Sequence, residues 1–287
     1  MASTFTGSRS LQGRSAVVTG GSRGLGLLLA GELAARGCRV TIAARDREEL
    51  ERGAAVIAER VGGGAPPVRT AACDVRDREA VRTLFEETAG ANGGVDLVLA
   101  NAGIIQVAPV EAIGADEFAS AMDTMFMGAL HTSLEALPHL RRSPGGGRLG
   151  LVGSVGGLLG VPHLLPYSCA KSAVGTLAEG LRAECGRTGV SVTAVHPGLM
   201  RTGSHLHAEF GGDERKEFAW FSALAGTPLV SMDAEHAARR IVTAVERRRA
   251  RLVLTPAARA AGLAHGVAPA LTTRLTALTA RALPGAE

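Results

Sequence analysis

Two kinds of apolar pattern alternate along the chain. Short runs rich in β-branched residues occupy 15–19, 38–43, 68–72, 95–100, 148–152, 190–195 and 251–255, and most are bounded by Gly, Pro, Asn or Asp. Runs of that length between turn residues predict buried strands. Between them lie longer stretches whose apolar residues recur every three or four positions. These predict helices after Gly26 and over 46–60, 77–90, 116–140, 165–186 and 233–247. Strands separated by helices predict a single α/β domain over 1–255, a doubly wound parallel sheet with helices on both faces. Past Pro256, Leu263, Val267, Leu271, Leu275 and Leu278 recur at helical spacing with Pro269 as a break. They predict a C-terminal amphipathic helical extension over 256–287 that packs on its own domain or on a neighbouring subunit. Adherence to a membrane surface through Arg259, Arg274 and Arg281 is the alternative.

The first strand runs into Thr19-Gly20-Gly21-Ser22-Arg23-Gly24-Leu25-Gly26 and then into a helix. Glycines there let backbone N–H groups approach a pyrophosphate, and the helix N-terminus adds partial positive charge, so the unit reads as a Rossmann-type dinucleotide turn. Gly20, Ser22, Arg23, Gly24, Leu25 and Gly26 are its candidate cofactor contacts. At the end of the second strand, where such units place an acid on the ribose hydroxyls, stands Arg45. An arginine at that point pairs with a ribose phosphate, which favours NADP(H), and Arg23 can join it. Asp74 and Asn101-Ala102-Gly103 fall just past later strands, on the side where open sheets bind ligands. A loop-closing role for Asn101 and Gly103 is as acceptable as a contact.

Tyr167 is the sole tyrosine and Lys171 one of two lysines. Four residues apart on a helix they share a face, and an ammonium beside the phenol is expected to lower its pKa and fit it for acid–base work. Ser154, in Gly153-Ser154-Val155, can donate to the same substrate oxygen. The alternative is a Tyr and a Lys that decorate a helix surface.

Composition narrows the classes. The net charge of +4 comes from scattered arginines without interleaved aromatics, so nucleic acid is not an expected partner. The four cysteines show no metal or CxxC spacing, and residues 1–14 hold no apolar run suited to a signal peptide. A soluble, cytoplasmic chain with free thiols is expected. His205 and His207 lack a third ligand at suitable spacing, so no metal is expected. Phe210, Phe218, Trp220 and Phe221 cluster between Gly203 and Met232, and ordinary core or subunit packing is one reading of them.

Together these motifs resemble the short-chain dehydrogenase/reductase family over roughly residues 11–254. The glycine turn is similar to its cofactor turn, Asn101-Ala102-Gly103 to its sheet-stabilising motif, and Ser154, Tyr167 and Lys171 to its catalytic residues. Pro197, Gly198 and Thr202 resemble its nicotinamide-binding segment. The aromatic cluster that follows Thr202 is similar to its substrate lid, which implies a lipophilic substrate. The resemblance implies hydride transfer between NADP(H) and a small-molecule carbonyl or alcohol. Tyr167 would protonate the oxygen, Ser154 hold it, and Lys171 lower the phenol pKa and bind the nicotinamide ribose. A homo-oligomer is expected. One departure stands out: Met125 occupies the position, three before Gly128, where the family places an asparagine thought to shape the helix and support a water leading to the lysine. Slower proton relay is expected, with Met125→Asn raising turnover. A dehydratase, isomerase or cyclase that binds NADP(H) without consuming it, and a non-catalytic NADPH sensor, are the rival readings.

Overall fold

Alternation within the strands decides the layering. In β1 (Ser15–Thr19), Ala16 and Val18 enter one fully buried cluster and Val17 enters another. β4 (Leu97–Ala100) divides the same way, Leu97 and Leu99 against Val98 and Ala100. A strand buried on both faces needs apolar residues at every position, which is why these segments read as continuous runs. The computed structural model describes residues 11–62, 65–201, 208–226, 231–281 and 283–285.

A seven-stranded parallel sheet forms the centre. Its remaining strands are β2 (Arg39–Ala44), β3 (Arg69–Ala72), β6 (Arg148–Val152), β7 (Ser191–His196) and β11 (Arg251–Val253), in the order β11-β7-β6-β4-β1-β2-β3. All seven runs found in the sequence are present. The first cluster lies under α1 (Gly24–Ala35), α2 (Arg47–Val61) and α8 (Ala234–Glu246). The second lies under α3 (Arg78–Asn92), α5 (Gly128–Arg142) and α6 (Leu165–Cys185). Asp46 caps α2 by accepting from Glu49 N at 2.9 Å, and Asp77 caps α3.

The chain leaves β1 towards β2 and β3 on one side and later returns to build β4, β6, β7 and β11 on the other. A crevice therefore opens between the carboxyl ends of β1 and β4, the switch point where open α/β sheets bind ligands.

Three features differ from the sequence reading. The helix expected over 116–140 is α4 (Ala115–Ala121) and α5 joined by a π-helical turn, Met122–Met127. Two small parallel pairs were not foreseen, β5 (Gln106–Val107) with β9 (Glu209–Phe210) and β8 (Leu199–Arg201) with β10 (Ser231–Asp233). Both lie outside the main sheet and hold the segment carrying α7 (Glu214–Gly226). Beyond β11, the tail is a pair of short helices, α9 (Pro256–Val267) and α10 (Pro269–Ala280).

Candidate active site

The glycine turn is built by steric exclusion. Gly20 has φ +63°, and a Cβ on Gly26 would stand 1.9 Å from the Gly20 carbonyl oxygen. Only bare backbone allows α1 to start this close to the strand end. The Asn101 side chain fixes the turn from the next strand, donating from Nδ2 to Thr19 O at 3.2 Å and Gly20 O at 3.1 Å. Asn101 thus braces the loop while also lining the cleft.

One cleft of about 410 Å³, within the ~300–1,000 Å³ of small-molecule sites, gathers most of the candidates. Gly20, Ser22, Arg23, Leu25, Gly26, Arg45 and Asp74 line one end; Asn101 and Gly103 lie in the middle. Ser154, Tyr167, Lys171, Pro197 and Gly198 line the other end. Gly24 does not line it; at φ +54° it opens α1. Thr202, His205 and His207 lie outside the described residues.

At the nucleotide end, Arg45 is exposed and makes no side-chain hydrogen bond or ion pair among the described residues. Arg23 pairs with Glu49 at 2.8 Å, and Ser22 Oγ donates to the same carboxylate. Burial alone would raise the Glu49 pKa, but the bonds from Ser22 and Arg23 outweigh it and hold it low. Glu49 was missed in the sequence, where it reads as an ordinary acid in the first turn of a helix capped by Asp46. Its place four residues after Arg45 was the available signal. Asp74 is held by Arg76, Nη2 to Oδ2 at 2.6 Å, and that bond lowers its carboxyl pKa.

At the other end, Tyr167 and Lys171 share one face of α6, with Lys171 Nζ 5.8 Å from the phenol ring centroid. Lys171 is buried and donates to Val152 O at 2.8 Å. Burial pushes its pKa down to about 8. The Tyr167 phenol is moved up, not down: burial dominates, and a side-chain hydrogen bond with Ser154 only partly offsets it. This corrects the expectation of an acidified phenol. Low dielectric penalises charge on both groups, and the ammonium is spent on a backbone carbonyl. Ser154 Oγ also accepts from Gly156 N at 3.1 Å, and His196, buried under it, sets Nδ1 3.2 Å from Ser154 O.

Met125 is fully buried against Ala121 and Ala170, with Tyr167 and Ile104 packed on the cluster. A Cβ on Gly103 would stand 3.5 Å from both Met125 Sδ and Lys171 Nζ, so the two side chains flank Gly103. The helix is distorted there with methionine in place, so the distortion does not require an asparagine side chain.

Over Tyr167 sits a cluster of Val107, Leu164 and Phe221 with Phe210 and Trp220 packed on it. Trp220 and Phe221 meet edge to face, as do Phe210 and Phe218. One contact was invisible in sequence: the Glu217 carboxylate of α7, fully buried, takes His163 Nδ1 at 2.8 Å and Trp220 Nε1 at 2.6 Å. It ties α7 to the loop between Ser154 and Tyr167.

The family model for short chain dehydrogenase matches residues 14–209. Versicolorin reductase stcU of Emericella nidulans is 34% identical over 198 residues, 68% of this chain and 72% of that protein. For 3beta-hydroxysteroid dehydrogenase 1 of Eggerthella lenta the figures are 33% over 194 residues, 67% and 72%. Among solved structures, a short chain dehydrogenase from Burkholderia cenocepacia in complex with NADP superposes with TM-score 0.72 at 28% identity, covering 87% of this chain and 99% of that one. Levodione reductase superposes with TM-score 0.73 at 27% identity, covering 85% and 96%. The chain belongs to the short-chain dehydrogenase/reductase family, a family of oxidoreductases acting on small molecules with a nicotinamide cofactor.

Proposed function

We propose that the protein is an NADPH-dependent oxidoreductase that reduces a carbonyl of a lipophilic small molecule, or oxidises the corresponding secondary alcohol, with Ser154, Tyr167 and Lys171 as its catalytic residues. The observation that carries this reading is the convergence of these three side chains at one end of a cleft whose other end is a glycine turn with Arg45 beside it. The cleft fits the cofactor: Gly20 and Gly26 leave room for a pyrophosphate at the α1 N-terminus, and Arg45 offers a guanidinium for a ribose phosphate. When bound, NADPH supplies the hydride.

The chain supplies the proton and the orientation. Tyr167 holds its proton at Oη at neutral pH and is the donor to the carbonyl oxygen; burial makes the phenol a weaker acid than in water, so the transfer relies on orientation and on the nearby Lys171 charge. Ser154 donates to the same oxygen. Lys171, with its pKa near 8, remains mostly charged at pH 7 and provides a cation beside the ribose and the phenol. The aromatic packing of α7 over Tyr167 and the relative named a hydroxysteroid dehydrogenase both support an apolar, ring-containing substrate.

NADPH fluorescence followed with a panel of cyclic ketones tests this. Consumption is expected for the parent protein and a loss of about 10²–10⁴-fold for Tyr167→Phe, the range of general acid catalysis. Product without net NADPH consumption would instead identify a dehydratase, isomerase or cyclase. NADPH binding without any turnover would identify a sensor.

A further inference from the structure

The α9–α10 hairpin is built with its polar side inward. Thr272 and Thr276 are half-buried along α10, and Thr272 Oγ1 bonds His265 Nδ1 of α9 at 2.8 Å. Leu271, Leu275 and Leu278 share a different row of α10, and with Leu263 and Val267 of α9 they are between 54 and 86% exposed. These five account for half of the large exposed apolar side chains among the described residues. Exposed apolar side chains gathered on two consecutive helices mark a surface that meets something other than water.

Charge indicates what it meets. Arg259, Arg274 and Arg281 are exposed on the same two helices. From Arg247 to Ala286 the sequence contains no Asp or Glu, and one acid follows, at position 287. A second copy placed on this face would bring two sets of guanidiniums together with no carboxylate in either helix pair to receive them. A phosphate-bearing surface with hydrocarbon beneath it receives both the arginines and the leucines. Each helix has 12 residues, about 18 Å at ~1.5 Å per residue, too short to cross a ~30 Å hydrocarbon core and long enough to lie along its boundary. Among the described residues no helix is long and apolar enough to cross a membrane.

We propose that the α9–α10 hairpin docks the protein on the surface of an anionic phospholipid bilayer, with the leucine and valine side chains in the headgroup–acyl boundary and the arginines at the phosphates. Ala258 anchors α9 in the body, and Gly262 faces Leu158 of the loop that runs from Ser154 to Tyr167. That loop therefore lies against the body-facing side of the docked helix pair. Entry of a lipophilic substrate from the bilayer rests on the proposed function; the docking itself does not.

Co-sedimentation of the full chain with vesicles tests the proposal without any activity measurement. Binding is expected to phosphatidylcholine vesicles containing 30% phosphatidylglycerol, and to be at least about tenfold weaker to phosphatidylcholine alone, since each arginine near an anionic surface contributes roughly fivefold. Leu271→Ser/Leu275→Ser/Leu278→Ser is expected to lose about tenfold or more, because interfacial binding scales with buried apolar area. Unchanged circular dichroism and NADPH affinity in that variant would show an intact fold. Arg274→Gln/Arg281→Gln should weaken binding to the anionic vesicles only. Absence of vesicle binding overturns the proposal, and a dimer in sedimentation velocity that the leucine variant dissolves would assign the face to a second copy. Binding by the leucine variant at parental strength also overturns it, since general basic charge would then suffice.

Discussion

Lys171 stands at about pH 8 where a free lysine stands at 10.5, because burial disfavours its charge. Its folded pKa lies below its unfolded value, so between the two the unfolded chain binds more protons and stability rises with pH. Below pH 8 the cost is present in full, of order 3 kcal/mol at ~1.4 kcal/mol per unit, and it fades as pH climbs from 8 to 10.5. Lys171→Met removes this cost but leaves Val152 O without its donor, a loss of about 1 kcal/mol. Denaturant melts should show the variant more stable than the parent near pH 7, with the gap closing as pH approaches 10.5. A gap independent of pH would mean that the lysine does not titrate below its free value. Met125, on the facing π-turn, poses a related question. Its helix carries the π-turn with methionine in place, so an asparagine would act through its buried amide and not through a new helix shape. Met125→Asn is expected to raise turnover while lowering stability by about 1–3 kcal/mol for a buried amide. Unchanged or lower turnover across a pH series would count against a relay role.

At the scale of elements, α7 is joined to the body through two-residue β9 and three-residue β10. What fixes it over Tyr167 is a side-chain junction: Glu217 receives His163 and Trp220, while His163 sits at φ 62° and its carbonyl oxygen accepts from Ala108 N. A left-handed histidine persists only where its surroundings hold it. Glu217→Gln keeps the shape and removes the charge that receives both donors. The expected result is a KM for the ketone raised roughly tenfold, about the worth of one charge-assisted hydrogen bond, with kcat changed much less. A fall in kcat at constant KM would instead place Glu217 with the reacting groups. Nothing local in the sequence could reveal this junction. His163 and Glu217 are 54 positions apart, and each alone is an unremarkable polar residue near apolar ones. By contrast, Tyr167 and Lys171 were legible because α6 alone brings them together. Their proton affinities were not, because burial is a property of the whole fold.

At the scale of the molecule, the seven strands were readable because a parallel sheet covered on both faces forces apolar runs, and glycine turns punctuate them. Strand order was implied only through the nucleotide turn and the family resemblance. What the sequence left out at the cleft is the opposition between charges from different elements: Arg45 follows β2, Arg23 precedes α1, and Glu49 of α2 holds Arg23 and Ser22. Cofactor binding to the folded state alone stabilises the whole chain, by about 2.7 kcal/mol at a hundred times Kd. At ~2 °C per kcal/mol for a chain of this size, NADPH should raise Tm by about 5 °C. On the proposed role of Arg45 as the partner of a ribose phosphate, its loss costs about 1.5 kcal/mol, so Arg45→Ala should roughly halve that rise while leaving the NADH response unchanged. Glu49→Gln works in the opposite sense, because it frees Arg23 and removes a negative charge from the phosphate end, and the NADPH response should grow relative to that of NADH. Equal losses for both cofactors in Arg45→Ala would show that the guanidinium holds the shared part of the nucleotide. Any preference for a ribose phosphate would then have to arise from Arg23 and Ser22 once Glu49 lets them go.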